Sequence, residues 1–239
     1  SCLASGFATS QPGIAKKRFY HSYRLLSQFI GIQLKQPAWI RLLKNIVWLA
    51  CKQQRGNIVE YRRLGRTNLQ VSVLSLGCGG PSRLGLRTGR TTSESAKIIH
   101  SALDAGINII DTATAYQTEA LVAAGLRGRP RDRVVISSKR GLRSESGNGL
   151  LSKEELIKSV ENSLRCLETD YIDIYHLHAV SPDEYGYASE EMVPTLQKLK
   201  LAGKVRFLGI TERFEEDTQH LALSRTIKEG LVDVVMVGF

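Results

Sequence analysis

Three apolar, β-rich runs at residues 107–110, 134–138 and 171–175 lead into Asp111, Lys139 and, two residues further along, His178. Helix-like segments separate them, and Tyr116 follows shortly after the first run. Continuous apolar strands alternating with helices argue for a parallel sheet buried on both faces. When such a sheet curls into a barrel, the carboxyl ends of successive strands converge on one rim, so side chains distant in sequence become neighbours. A chain with this pattern has few other folds open to it.

The rest of the sequence extends the pattern. Residues 73–77 read as a first buried strand, ending in a turn that contains Gly77, Gly79 and Gly80. Ser93 is expected to cap a helix whose apolar positions Ala96, Ile99 and Ala102 recur at helical spacing. A helix over 119–126 precedes the strand to Ser138. Ser152 with Glu155 three residues later forms a capping-box pattern for the next helix. After the strand towards His178 come a helix over 190–201, a strand over 205–210, a helix to Glu229 and a strand from Val232. Ahead of them all, residues 58–64 and 69–71, around Gly65-Arg66-Thr67-Asn68, read as a hairpin.

A carboxylate, a phenol, an ammonium and an imidazole meeting at one rim can deliver a proton to a carbonyl oxygen. A free tyrosine has a pKa of about 10, too high for ready protonation of a carbonyl at neutral pH. A nearby ammonium favours the phenolate and is expected to lower that pKa. Lys139 supplies that charge, Asp111 pairs with it, and His178 orients the substrate oxygen. No activated serine or cysteine motif competes, so reduction of a carbonyl by a bound hydride donor is the reaction class expected.

Several separated segments carry a family resemblance. Asp111-Thr112-Ala113-Thr114-Ala115-Tyr116 with Glu119, Ser138-Lys139, and Asp170-Tyr171-Ile172-Asp173-Ile174-Tyr175 leading to Leu177-His178 resemble the aldo-keto reductases. So do Tyr61-Arg62-Arg63-Leu64-Gly65, Leu74-Ser75-Leu76-Gly77 and Gly203-Lys204-Val205-Arg206-Phe207-Leu208-Gly209-Ile210-Thr211. The resemblance implies a (β/α)8 TIM barrel whose floor is plugged by the hairpin. It also implies reduction of small aldehydes or ketones with NADP(H), NAD(H) not being excluded. Tyr116 is then the general acid, supported by Asp111, Lys139 and His178. The alternative in the same fold is a non-catalytic, nucleotide-binding sensor or regulatory member.

The family's nicotinamide contacts map onto Thr211, Glu212 and Met236. Where the family commonly carries a serine-asparagine pair, this chain has Thr211 and Glu212, and Met236 stands at the family's glutamine position. Thr211 keeps a hydroxyl. An ionised Glu212 can only accept hydrogen bonds, and Met236 cannot replace a bidentate amide.

The strand pattern yields six barrel strands, whereas a closed barrel of eight typically needs about 250 residues. The sequence is therefore expected to be a partial barrel over 57–239, inactive by itself and belonging to a longer parent. Residues 1–56 differ in composition: they hold nine of the 33 basic residues and none of the 23 acidic ones, so all but one unit of the net charge of +10 is theirs. The basic pI is thus no sign of nucleic-acid binding. This leader is expected to be poorly ordered or helical, with weak membrane-surface contact or an organelle-targeting role as options. Without such targeting, a cytoplasmic location is expected.

Cys2, Cys51, Cys78 and Cys166 are too scattered for a metal site or a disulfide framework, and Cys78 is expected to be a small buried hydrophobe. His176 and His178 lie two apart on one strand face, a spacing that metal-dependent hydrolases also use. With Lys139 beside Asp111, no metal is expected there. His176 is expected one layer below the rim.

Overall fold

The computed structural model describes residues 59–144, 147 and 149–238. The expectations for the leader, including those for Cys2 and Cys51, lie outside the described residues.

A hairpin comes first, with β1 (Tyr61–Arg63) antiparallel to β2 (Gln70–Ser72). Its connection is a 3-10 turn over Gly65–Thr67 closed by Asn68 in the left-handed region. Then follow β3 (Leu76–Gly77), α1 (Thr92–Asp104), β4 (Ile109–Asp111), α2 (Glu119–Leu126), β5 (Val135–Gly141) and α3 (Lys153–Cys166). After these come β6 (Ile172–Val180), α4 (Val193–Leu201), β7 (Val205–Glu212), α5 (Leu221–Glu229) and β8 (Val234–Met236). Strands β3 to β8 form one sheet in sequential order, every neighbouring pair parallel. This is the arrangement of successive βα units in a (β/α)8 barrel, here six strands of it.

The two sheet faces have separate partners, as the period of two along a strand requires. Ile110, Ile136, Tyr175, Leu177, Leu208 and Ile210 point to the helices and join Ile99, Val122, Leu156 and Leu196 in the main core. Ile109, Val135, Ile174, Phe207 and Val234 occupy the inner face and meet Leu64, Leu69 and Val71 of the hairpin. The hairpin is thus the floor of the inner face. Asn108, just before β4, locks it there: its Oδ1 accepts from Ser72 N–H at 2.7 Å and its Nδ2 donates to Gln70 O at 2.8 Å.

Three local details differ from the expectations. The first strand is only Leu76–Gly77, and Val73 and Leu74 are more than half exposed, because only those two residues pair with β4. Thr91, not Ser93, caps α1, since Glu94 stands three residues later and closes the box from both sides. Helix α4 begins at Val193, preceded by a π-helical turn over Ala188–Met192. The Ser152–Glu155 capping box of α3 is present as expected. Among the described residues, no helix is long and apolar enough to cross a membrane.

Candidate active site

Above the hairpin floor the inner face turns polar. Strand register places Asp111 beside Ser137, Lys139 beside His176, and Thr211 beside Met236. Lys139 Nζ, almost fully buried, donates to Asp111 Oδ2 at 2.5 Å and to Thr112 O at 2.7 Å. The other carboxylate oxygen of Asp111 accepts from Ser137 Oγ at 2.8 Å. Sequence reading missed Ser137, although its place two residues before Lys139, on the same strand face, was the available signal.

Tyr116 reaches this pair from a 3-10 turn over Thr114–Tyr116 just beyond β4. Its ring lies 5.2 Å from Lys139 Nζ and stands edge-on to His178, centroids 5.8 Å apart and planes at 88°. Gly79 lets the loop after β3 close over the phenol, because a Cβ at that position would lie 2.8 Å from two ring carbons of Tyr116.

His178 owes its position to a break in the β6–β7 register between Leu177 and Val180. Ala179 sits there at φ +55°, a left-handed backbone that alanine rarely adopts. Thr211 Oγ1 holds the irregularity by accepting from Ala179 N–H at 2.8 Å. Bulges of this type re-aim side chains next to functional sites. One layer down, His176 is fully enclosed. It fits because position 209 is glycine, where a Cβ would lie 2.1 Å from His176 Nδ1. That Nδ1 has no hydrogen-bond partner among the described residues.

Burial and charge set the protonation states. Burial, then the Asp111 carboxylate, push the Tyr116 phenol up, opposed by the Arg83 guanidinium. The net lowering expected of the phenol is not found, because burial and the Asp111 carboxylate dominate at Tyr116. Burial draws Lys139 itself down, with Asp111 opposing. Burial and the Lys139 charge pull His178 down to about 4, so its imidazole is neutral at neutral pH. The same two causes, in the same order, bring His176 to about 3. Cys78, fully buried in the loop after β3, is pushed up to about 12 by burial and then by Asp111.

The three positions expected to touch a nicotinamide separate. Thr211 is on the inner face, and its hydroxyl hydrogen remains available as a donor. Met236 is beside it in register and partly exposed, an apolar surface for a ring. Glu212 alternates to the helix side. Its two carboxylate oxygens are taken by His220 Nδ1 at 2.8 Å and Gly238 N–H at 2.7 Å. Thr211 and Met236 therefore fit a carboxamide-bearing ring, and Glu212 does not. Among the described residues, no group of three or more His, Cys, Asp or Glu is placed to hold a metal ion.

A cavity of about 540 Å3 lies at the other end of β5 and β6, bounded by Leu126, Arg131, Leu167 and Tyr171. Its guanidinium groups are already committed: Arg127 to Glu168, Arg129 to Asp104, and Arg131 to Asp173. It holds none of the rim chemistry.

A sequential parallel βα sheet over a hairpin floor, with its reactive side chains at the carboxyl ends of the strands, defines a barrel-class protein with a rim site. Residues 75–238 match the model of the aldo/keto reductase family, and the chain belongs to that family. It is 34% identical to L-galactose dehydrogenase of Arabidopsis thaliana over 184 residues, covering 74% of this chain and 56% of the relative. It is 30% identical to the NADH-specific methylglyoxal reductase of Escherichia coli over 195 residues, covering 74% and 57%. An aldo-keto reductase from Bacillus halodurans in its holo form superposes with a TM-score of 0.57 at 29% identity, covering 75% of this chain and 65% of that one. The Bombyx mori aldo-keto reductase in complex with NADP shares the fold, with a TM-score of 0.51 at 21% identity, covering 70% and 54%. The chain spans about half the length of the relatives it matches.

Proposed function

We propose that this chain carries the catalytic rim of an oxidoreductase that reduces aldehyde or ketone groups of small molecules to alcohols. The observation that carries the reading is the buried Lys139–Asp111 pair set beneath a phenol and a neutral imidazole. Family membership and the named activities of the relatives support it. That complete set also weighs against a purely nucleotide-sensing role.

A bound NADPH or NADH would supply the hydride, and Thr211 and Met236 are the residues of this chain that would hold its nicotinamide. His178 offers one N–H to the substrate carbonyl oxygen and fixes its position. Tyr116 gives its phenolic proton to that oxygen as the carbonyl carbon accepts the hydride. A C–H and an O–H bond form while the C=O π bond is lost. The phenolate left on Tyr116 faces the Lys139 ammonium, 5.2 Å from its ring, and regains a proton from water. Asp111 holds that ammonium charged against burial, and Ser137 holds Asp111.

Tyr116→Phe in the full-length protein tests this. General acid catalysis contributes typically about 10²–10⁴-fold, so single-turnover reduction of an aldehyde should slow by that order. Dinucleotide affinity, followed by fluorescence titration, should stay nearly constant. Undiminished turnover would overturn the assignment of the acid.

A further inference from the structure

The loop between β3 and α1 contains three successive residues in the left-handed region: Arg83 at φ +46°, Leu84 at +57° and Gly85 at +91°. Glycine adopts that backbone freely, but a side chain there costs on the order of 1 kcal/mol. For Leu84 the cost has an evident return. Its side chain is buried in the main core, and its carbonyl accepts from Ser95 Oγ at 2.9 Å. Arg83 has no such return. It is half-buried, and among the described residues its guanidinium takes part in no hydrogen bond or ion pair. Strained non-glycine residues persist where the surrounding structure over-determines them, and they cluster at active sites and ligand clamps.

The position of that guanidinium gives it a use. The same loop closes over the phenol through Gly79, and the Arg83 charge is felt at Tyr116. Two other cations at the rim are engaged: Lys139 with Asp111, and Arg213 with Glu216 and Glu184. A partly desolvated guanidinium with an open donor fork is suited to grip a planar oxyanion in two-point fashion.

We propose that Arg83 is a specificity-determining residue that binds an oxyanion group of the substrate, so that the site favours carbonyl compounds carrying a carboxylate or phosphate. This rests on the carbonyl-reductase reading of the rim and adds to it the charge of the substrate. Arg83 lies four residues beyond Gly79 in the loop that closes over the phenol, and from there it anchors one end of the substrate while Tyr116 and His178 receive the carbonyl.

The test compares matched substrates in the full-length protein. Butanal and 4-oxobutanoate differ by a methyl against a carboxylate; glyceraldehyde and its 3-phosphate form a phosphate pair. A hydrogen bond to a charged group contributes enough to raise kcat/KM for the anionic member about ten- to a hundredfold, mostly through KM. Arg83→Gln should erase that preference in whichever pair shows it, and Arg83→Lys should keep part of it. Arg83→Gly removes the guanidinium while relieving the left-handed backbone, so its melting temperature should not fall although its preference does. That combination separates lost recognition from lost folding. An anionic preference unchanged in Arg83→Gly, no such preference in either pair, or an equal loss on neutral and anionic members would each overturn the proposal. In those cases Tyr116-dependent reduction of butanal would leave the carbonyl-reductase reading standing. Absence of any aldehyde turnover would remove both.

Discussion

Gly79 shows how closely single residues are matched at the rim. Its missing side chain is what lets the loop after β3 lie against the Tyr116 ring, and Gly79→Ala would drive a methyl to 2.8 Å from that ring. The half-enclosed phenol has room to yield, so the fold should survive while the proton donor is displaced. Misplacement by about 1 Å can cost 10²-fold in rate. Gly79→Ala should therefore lower turnover by up to about that factor with an unchanged melting curve, and unaltered kinetics would show that the loop does not position the phenol. The reactive residues themselves were legible in the sequence, because Asp111, Lys139 and His178 each follow an apolar run. What supports them was less so. Nothing in the order of residues announces that Ala179 will be left-handed, or that Thr211 will hold it, since both depend on a register break between two strands.

Among the elements, the central strands could be read and the edges of elements could not. Strands β5, β6 and β7 are long, apolar and flanked by helices on one face, so their composition alone defines them. Residues 73–77 have the same β-branched and leucine character, yet pairing limits the strand to two of them. The cap of α1 was legible by a stricter rule: of the hydroxyl residues at 91–93, only Thr91 has a glutamate three positions on. Between elements, Asp173 on β6 ties neighbours together with a fully buried carboxylate. One oxygen accepts from Arg131 and from Ile136 N–H of β5, at 2.7 and 2.9 Å, and the other from Arg206 of β7 at 2.6 Å. Asp173→Ala would strand that N–H and two partly exposed guanidinium groups, a loss of about 3 kcal/mol. For a folded unit of this size that amounts to roughly 10 °C in melting temperature. A calorimetric shift within 2 °C of wild type would mean that water replaces the carboxylate at little cost.

For the molecule as a whole, the enclosed histidines link stability to acidity. Burial and the Lys139 charge draw His176 down to about 3 and His178 to about 4, both below the 6.5 of an ordinary histidine in an unfolded chain. Between those values and 6.5 the unfolded state binds more protons, so stability rises with pH across that window and is fully present above it. Denaturant midpoints should therefore drop steadily from pH 6.5 towards pH 4, with a shallower slope in His176→Gln. A flat profile over that range would show that the rings accept protons without leaving their sites. The inner face is thus held together by chemistry that favours neutral or alkaline conditions.

The enclosed thiol of Cys78 has a consequence of its own. Fully covered and held protonated, with its titration pushed up to about 12, it offers an alkylating reagent neither access nor a thiolate while the loop after β3 stays closed. The partly accessible Cys166 has no such protection. The protein therefore carries a native clock for its own breathing: the lag between labelling of Cys166 and of Cys78 measures how often the roof over the phenol lifts.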